Sequence, residues 1–528
     1  MANEFLNEEK QVLDRTNYKD SGGEYPFKFA EVVGAKWWID YYVGDRSRGF
    51  RHEPAAFIFF KKILLALVSI LENILGEQIF IKRGNLAWPI IEPRLLEMLK
   101  RMFEEKIIYS VSRTRVRPDM PLPFVGYSFS PGVMKTPLGA EIRLNGSFSG
   151  EADTANEGLM KAIAELLERQ SLCAWDLNRI TVGSYEKLGS LRAADPLQFR
   201  VFSDEQINKD IYTRRERYFN EKTEFEWIGA RSLLSGKKIL IPAALSFVRY
   251  RSRKPEPFLR EVNSSGAGAG TSFAMAAYSA VCESIERDAI MIYWLNKITP
   301  PMVDQSTIKD ERIMLYLDNL QKYQFEVKIF ELSNEFMPVY LVISFDKTGY
   351  LPGISVSSAA DLNSHHALFH ALREHIKIIQ SDRFSATEDK LAGQENIPIV
   401  TIQQRRMFWF RKNAAEDICW MWENNNKRAA VPPDSFASDS FEERLSEVRH
   451  RFQKKNIDSY LVDISMPIAS EFGLKVIMSV CTALYPLYFD ESIKYLGVQR
   501  LFTFPVEFGY LSSPKKVEEL NTIPHPVL

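Results

Sequence analysis

The chain contains an internal repeat, which restricts its fold more than any other feature of the sequence. Residues 146–170 read GSFSGEADTANEGLMKAIAELLERQ, and residues 266–288 read GAGAGTSFAMAAYSAVCESIERD. Each copy has a small or glycine-rich loop, a Ser or Thr that can cap a helix, and an alanine-rich helix that ends in Glu-x-x-Glu-Arg. A fainter third copy at residues 357–375 (SSAADLNSHHALFHALREH) keeps one acid, Glu374. The pattern predicts repeated helix-and-sheet units and leaves the third copy open.

Composition and charge exclude several classes of protein. Hydrophobic residues make up 45% and charged residues 26% of the 528 residues, as in an ordinary globular protein. The net charge of −1 gives no overall attraction for nucleic acid or for an anionic membrane, so we predict neither as a partner. The four cysteines show no CxxC spacing, and the polar start lacks the order of a signal peptide, so we predict a cytoplasmic location.

The sequence predicts an α+β protein in two parts. Residues 1–110 contain helical patterns at 55–75 and 92–103, and we expect them to form an N-terminal helical extension or docking region. Residues 111–528 form the main domain, in which strand-like runs such as 238–242 alternate with helices.

Each Glu-x-x-Glu-Arg motif places two carboxylates on one face of a helix, because residues three apart are neighbours there. In one interpretation the arginine forms a salt bridge with the acid four residues before it, and duplication copied this pair. In the other, the helices pack side by side, four carboxylates hold magnesium, and the arginines pair with phosphate oxygens. The candidate metal ligands are Glu165, Glu168, Glu283 and Glu286, and the candidate phosphate-binding arginines are Arg169 and Arg287.

The glycine-rich segment 264–270 (SSGAGAG) is predicted to be a loop that lets a ligand approach the backbone closely, as phosphate-binding loops do. Ser265 lies within it and Thr271 directly follows it, and both are candidate phosphate contacts. The segment is not a Walker loop, because no GKS or GKT follows it.

Four stretches of the chain resemble the YcaO-domain family. They are residues 195–206 (DPLQFRVFSDEQ), 226–247 (EWIGARSLLSGKKILIPAALSF), 264–295 (SSGAGAGTSFAMAAYSAVCESIERDAIMIYWL) and 484–502 (LYPLYFDESIKYLGVQRLF). They follow one another in the family's order, and the resemblance covers roughly residues 110 to 528. Within the family the chain is most similar to the cyclodehydratases of thiazole/oxazole-modified peptide biosynthesis, because such proteins tend to end in a Pro-x-Pro run.

The resemblance implies an enzyme that binds ATP and magnesium through helical acids of the Glu-x-x-Glu-Arg kind. In such enzymes a Cys, Ser or Thr side chain of a substrate peptide attacks the preceding backbone carbonyl. ATP then phosphorylates the resulting hemiorthoamide oxygen, and loss of phosphate leaves an azoline ring. Phosphorylation turns a poor leaving group into a good one, and catalysis of such a transfer is mostly positioning and charge neutralisation.

Carried over by position, the resemblance assigns the two acidic pairs above to magnesium and a set of further residues to ATP. This ATP-binding set is Arg287, Arg169, Glu374, Gln380, Arg383, Thr271 and Ser265. The chain departs from the family at three places: Met275 stands where an acid is common, Thr271 where Asn is common, and Lys377 where Gln is usual. Glu157 is either a further ATP contact or, with Thr154, part of a helix cap, and we favour the cap.

The C-terminal tail, IPHPVL, is the feature that separates azoline formation from other chemistries of the family. Two prolines, Pro524 and Pro526, stiffen the tail into an extended form. Most chain ends fray, but such tails are thought to reach the active site in this family. The resemblance therefore implies that Pro524, Pro526 and the carboxylate of Leu528 are catalytic, with the carboxylate acting as a base.

The predicted partners also follow from the resemblance. They are a precursor peptide, a second protein that recognises its leader, and an FMN-dependent dehydrogenase acting afterwards, within an oligomeric complex. Two alternatives stay open. One is a scaffold subunit whose ATP site has degenerated at Met275, Thr271 and Lys377, and the other is a YcaO enzyme that forms a thioamide or an amidine.

Overall fold

The computed structural model describes residues 91–113, 125–135, 141–144, 148–152, 154–349, 352–385, 398–432, 436 and 438–527. The chain divides into two compact units, and their boundary along the sequence lies between Leu166 and Leu167. The helix predicted at 92–103 is confirmed as Pro93–Glu104. The pattern predicted at 55–75 lies outside the described residues.

Strands and helices alternate along the described chain. The strands are β1 (Ile108–Arg113), β2 (Val125–Pro131), β3 (Val133–Lys135), β4 (Glu141–Arg143), β5 (Phe148–Ala152), β6 (Ile180–Ser184), β7 (Glu224–Ser232), β8 (Lys238–Pro242), β9 (Ala267–Gly270), β10 (Met302–Val303), β11 (Phe325–Glu331), β12 (Val339–Asp346), β13 (Ile354–Ala360), β14 (Arg428–Ala429), β15 (Ser459–Asp463) and β16 (Lys475–Cys481). The helices are α1 (Pro93–Glu104), α2 (Ala155–Ser171), α3 (Tyr185–Leu188), α4 (Asp204–Asn208), α5 (Ile211–Arg217), α6 (Phe273–Leu295), α7 (Glu311–Lys322), α8 (Ser364–Ser385), α9 (Ile402–Phe410), α10 (Phe441–Lys455), α11 (Pro467–Glu471) and α12 (Arg500–Glu507).

Each unit has its own sheet structure. The first contains a three-stranded antiparallel sheet in the order β1-β2-β5. The second contains a sheet in the order β6-β7-β15-β16-β9, with β8 also paired to β7, and a five-stranded sheet in the order β13-β12-β11-β10-β14. Helix α6 packs against β9 and β16 of one sheet and against β12 and β13 of the other. The predicted α+β class is therefore confirmed, and α6 is the central helix of the second unit.

All three copies of the repeat fold as a strand followed by a helix. They are β5 with α2, β9 with α6, and β13 with α8. A polar side chain caps each helix: Thr154 Oγ1 accepts from the Glu157 amide at 3.3 Å, and Ser272 Oγ accepts from the Met275 amide at 3.1 Å. In the third copy Asn363 Oδ1 accepts from the His366 amide at 2.8 Å. The fainter copy is thus a real repeat.

The glycines of the repeat bring each strand against its own helix. A Cβ added at Gly150 would lie 2.1 Å from the backbone nitrogen of Ala162, and one added at Gly268 would lie 2.5 Å from the carbonyl oxygen of Ala276. The sequence predicted that residues 264–270 form a loop that a ligand can approach closely. This prediction is wrong for Ala267–Gly270, which form strand β9. Glycine is needed there because no side chain fits between strand and helix.

Replacing Gly268 by Ala should lower the free energy of unfolding by about 1–3 kcal/mol or more, because the added methyl group meets backbone that cannot move aside. Gly229→Ala in β7 is the matched control, since a Cβ added at Gly229 meets nothing within 4 Å. Urea titration of both variants measures the difference, and equal midpoints would contradict the account of strand–helix contact.

Asp382, on α8, makes the stability of the second unit depend on pH. It is buried, and its carboxylate forms an ion pair with Arg406 at 3.4 Å. Burial raises the pKa of Asp382 to about 7, and Arg406 only partly opposes this effect. Because the pKa is higher in the folded than in the unfolded chain, the stability that this group provides is present at low pH and is lost as pH rises from about 4 through about 7.

In the original chain, ionisation of Asp382 should lower the free energy of unfolding by up to about 1.4 kcal/mol per pH unit across that range. Asp382→Asn should abolish this pH dependence, because the amide does not ionise. At pH 8 the variant should be more stable than the original chain. Asp318→Asn, at an exposed position of α7, is the control and should leave the pH profile unchanged. Denaturant titrations between about pH 5 and about pH 8 are the measurement, and parallel profiles for both variants would contradict the role of Asp382.

In the described residues, no helix combines the length and apolar character needed to span a bilayer.

Candidate functional site

The second Glu-x-x-Glu-Arg motif, on α6, forms a compact charged cluster. Arg287 donates from Nη2 to Glu283 Oε1 at 3.2 Å and from Nη1 to Glu286 Oε1 at 2.9 Å. Ser358 Oγ of β13 donates to the same Glu286 oxygen at 2.5 Å, and the Gly266 amide donates to Glu283 Oε2 at 3.2 Å. The predicted salt bridge is therefore present, and its two acids also connect the central helix to β13 and to the residue before β9.

Three acids act on Arg287 in this cluster. Burial raises the pKa of Glu286, although Arg287 and Ser358 oppose this effect; Glu283 and Glu374 raise it further. Burial alone would lower the pKa of the Arg287 guanidinium, but Glu286, Glu283 and Glu374 outweigh it and raise that pKa. The arginine is therefore held in its charged form by the acids around it.

A cavity opens beside Arg287 and contains groups that the sequence did not reveal. Its polar lining includes Arg260, Glu261, Asn263, Ser265, Ser284, Arg287 and Ser479. Burial lowers the pKa of the Arg260 guanidinium, while Tyr495 and Cys481 oppose the shift. Two guanidinium groups with several hydroxyls and an amide are the donors that phosphate oxygens accept from. The sequence feature that could have indicated a phosphate-binding role for Arg260 is its position just before the glycine-rich segment.

Asp288, the residue after Arg287, fixes the wall of this cavity. It is 1% exposed, and its Oδ1 accepts from the amide of Tyr485, which lines the cavity. Arg500 Nε donates to Asp288 Oδ2 at 2.8 Å, and the rest of the Arg500 guanidinium forms two hydrogen bonds with Glu335. Because each charge in this buried network has a partner, the cavity wall is held to α6 by paired groups.

The comparisons with known proteins show the family and the fold of this chain. The family model for "YcaO cyclodehydratase, ATP- and Mg²⁺-binding" matches residues 149–484, which is more than half of the chain. The chain belongs to the YcaO family. No curated protein matches its sequence. The family's description confirms the cofactors predicted for this YcaO chain, ATP and magnesium.

Solved structures show the same fold at low identity. A heterocyclase in complex with substrate and cofactor is 19% identical, with a TM-score of 0.65 over 82% of this chain and 57% of that one. The heterocyclase TruD is 19% identical, with a TM-score of 0.53 over 70% and 50%. YcaO from Methanopyrus kandleri, bound with AMPPCP and Mg²⁺, is 15% identical, with a TM-score of 0.53 over 74% and 89%. The YcaO chain spans 57% and 50% of the length of the first two.

The residues of this YcaO chain fit a nucleotide phosphate in chemical terms. Arg287 Nε is buried and has no hydrogen-bond partner in the described residues, although its other nitrogens are paired. In the part of the chain that the structure describes, no group of three or more His, Cys, Asp or Glu side chains is arranged to hold a metal ion. Arg287 lies between Glu283 and Glu286 of α6. The assignment of four glutamates as metal ligands therefore stays a prediction.

The first copy of the motif lies on α2, where the boundary between the two units falls. Glu165 belongs to the first unit, and Glu168 and Arg169 belong to the second. Arg169 Nε lies 3.9 Å from Glu168 Oε1, so the arginine is close to the adjacent acid. Glu157 forms an ion pair with Lys161 at 2.6 Å, and its amide is capped by Thr154, as the cap interpretation expects.

Helix α8, the helix of the third repeat copy, carries three of the predicted ATP contacts. Glu374 acts on the charged cluster of α6, whereas Gln380 and Arg383 lie among other groups. Glu374 acts electrostatically on Glu286 and forms an ion pair with Lys377 at 3.6 Å. Arg383 pairs with Asp346 at the end of β12, and an ATP contact would have to break this pair. Gln380 is buried, and its Nε2 has no hydrogen-bond partner in the described residues.

Thr271 and Met275, two positions where the chain departs from the family pattern, contact each other at the start of α6. Thr271 is exposed, and its Oγ1 lies 3.7 Å from Met275 Sδ. Neither side chain is charged, so this end of the helix lacks the acid that is common in the family. Both positions lie next to the predicted nucleotide contacts, and Thr271 stays a predicted one.

The tail of the YcaO chain is anchored in the second unit. Asn521 donates from its amide to the Leu295 carbonyl at 2.7 Å and from Nδ2 to the Trp294 carbonyl at 3.1 Å. Trp294 Nε1 in turn donates to the Ile523 carbonyl at 2.8 Å. Pro526 and Val527 are buried. The end of the chain is therefore packed as far as Val527, and Leu528 lies outside the described residues.

Proposed function

We propose that this YcaO chain is an ATP-dependent cyclodehydratase that forms azoline rings from Cys, Ser or Thr residues of a ribosomally made precursor peptide. The observation that carries the proposal is the charged cluster of α6 beside the cavity lined by Arg260 and Arg287. Carboxylates next to two guanidinium groups suit a metal-bound phosphate chain.

The reaction balances as a dehydration coupled to ATP hydrolysis. The substrate's hydroxyl or thiol gives up its proton and adds to the preceding carbonyl carbon, and the former amide oxygen attacks the terminal phosphorus of ATP, releasing ADP. The C–O bond then breaks, phosphate leaves with the amide oxygen, and the nitrogen loses its proton as the C=N bond forms. The peptide loses one water for each ATP consumed, and one phosphate is released for each ring.

We assign roles to the chain's own residues accordingly. Arg287 and Arg260 neutralise the phosphate oxygens, with Ser265 donating a hydroxyl from the cavity wall. Glu283 and Glu286 would hold magnesium, which would shield the charge of the phosphates. The carboxylate of Leu528, at the end of the tail, acts as the base. The remaining metal ligands are Glu165 and Glu168. The further ATP contacts are Arg169, Glu374, Gln380, Arg383 and Thr271.

The partners belong to the same proposal. The microcin synthetase McbBCD of E. coli is a complex. This chain is 15% identical to the matching chain of that complex and superimposes on it with a TM-score of 0.50. We propose that here, too, a second protein recognises the leader of the precursor, that an FMN-dependent dehydrogenase acts later, and that the reaction is cytoplasmic. Residues 1–110 would serve as the docking extension and 111–528 as the catalytic domain.

A scaffold subunit is the second candidate, and one observation favours it. Lys377 places a positive charge 3.6 Å from Glu374, where a magnesium or nucleotide contact is expected. Under this alternative the chain would bind the precursor complex but would not turn over ATP.

The experiment is a turnover assay with the partner and the precursor peptide. Phosphate release and the loss of water from the peptide, followed by mass spectrometry, should rise together in a ratio of one to one. Loss of water without ATP consumption would contradict the mechanism, and absence of both would favour the scaffold.

A further inference from the structure

His525 is held at both its side chain and its backbone, although it lies three residues from the chain end. It is 1% exposed and stands between the two prolines of the tail. Its Nε2 donates to the Tyr488 carbonyl at 2.6 Å. Its own carbonyl accepts from Arg405 Nη1 at 3.0 Å and from Trp409 Nε1 at 3.2 Å. We call Arg405, Trp409 and Tyr488 the tail clamp.

The tail clamp is itself fixed by buried contacts. Arg405 is fully buried, and its Nη2 donates to the Phe489 carbonyl at 2.7 Å and pairs with Glu491 at 2.8 Å. The indole of Trp409 packs edge-on against Trp294, the same residue whose Nε1 binds the tail at Ile523. Little further ordering is therefore needed to hold His525 in one position.

The clamp lies near the charged cluster of α6. Burial lowers the pKa of His525 well below its ordinary value, and the positive charges of Arg405 and Arg287 lower it further. The ring is therefore neutral, and its donation to the Tyr488 carbonyl assigns the proton to Nε2. Tyr488 directly follows Leu487, which lines the cavity beside Arg287, so the clamp holds the tail next to the proposed phosphate site.

We propose that His525 is a positioning residue whose attachment to the tail clamp sets the place of the C-terminus relative to Arg287. This inference rests on the proposed function. The prolines on either side stiffen the backbone, so fixing His525 also fixes the direction of the last residues. The clamp acts through the terminal carboxylate and does not touch the substrate.

The first test asks whether the clamp holds the tail. Trp409→Phe removes one hydrogen bond to the His525 carbonyl, and release of the C-terminal residues by carboxypeptidase should become about tenfold faster. Trp420→Phe is the matched control, because Trp420 packs against the same Trp294 but its Nε1 has no hydrogen-bond partner in the described residues. Equal protection in both variants would overturn the clamp, whether or not the chain forms rings.

The second test asks whether the clamp matters for the reaction. His525→Phe keeps a ring but removes the donor to Tyr488, and kcat for ring formation should fall about tenfold or more while KM for ATP stays unchanged. His525→Gln, whose amide can replace Nε2, should restore most of the rate. A freed tail with unchanged kcat would overturn the positioning role. If the wild-type chain forms no ring, the proposed function fails, and the carboxypeptidase assay still decides on the clamp.

Discussion

Replacing Glu283 and Glu286 together by Gln is expected to weaken binding of ATP with magnesium by at least about 100-fold. The two carboxylates face Arg287 and carry the charge that would hold the metal, whereas the glutamine oxygens can still accept from Arg287 and Ser358. Glu286→Gln keeps both of its hydrogen bonds on one oxygen, whereas Glu283→Gln loses one of two, because Arg287 and the Gly266 amide donate to different oxygens. The loss is a single hydrogen bond, so the fold should be retained. Titration calorimetry with ATP and magnesium measures the loss.

Glu447→Gln is the control for this double variant. Glu447 forms the same kind of ion pair, with Arg451 four residues later at 2.7 Å, but on α10, away from the proposed site. It should bind ATP as the original chain does. Equal affinity in the double variant and the control would show that the α6 acids are not magnesium ligands, provided that thermal melts confirm folding of both.

Deleting Pro524–Leu528 is expected to reduce ring formation by about 100-fold or more, the scale of losing a positioned general base. Because His525 and Val527 are buried, the truncation should also lower the melting temperature, unlike the loss of a frayed end. ATP affinity should be retained, since the nucleotide contacts lie on the helices and around the cavity.

Adding one Gly after Leu528 separates catalysis from stability. The extension keeps every buried contact of the tail and moves the terminal carboxylate by up to about 3.5 Å. A general base must lie within hydrogen-bonding reach of the proton that it accepts, so the extended chain should lose most of its ring-forming rate but none of its thermal stability. Full activity of the truncated and the extended chain would remove the tail from the mechanism and with it the main reason for preferring azoline formation.

Local patterns in the sequence predicted the repeat units well. The capping residues Thr154 and Ser272, the strand at 238–242 and the salt bridge between Glu283 and Arg287 follow from spacing of a few residues, and the structure confirms them. Such features depend on neighbours along the chain, so one sequence is enough to infer them.

Contacts between distant parts of the chain could not be predicted in this way. Gly268 suits a ligand-approach loop and a strand packed on a helix equally well, because both need the absence of a side chain. Arg405 and His525 are 120 residues apart, and no periodicity links them. Arg260 reaches the cavity beside Arg287 from a segment without a motif of its own.

Isotope transfer tests the proposed phosphorylation of the amide oxygen most directly. A precursor peptide labelled with ¹⁸O at the backbone carbonyl before the reacting Cys, Ser or Thr would be incubated with the chain, its partner and ATP with magnesium. The mechanism predicts that each ring formed sends its label into the released phosphate. Phosphate without label, with ¹⁸O recovered in water, would contradict it.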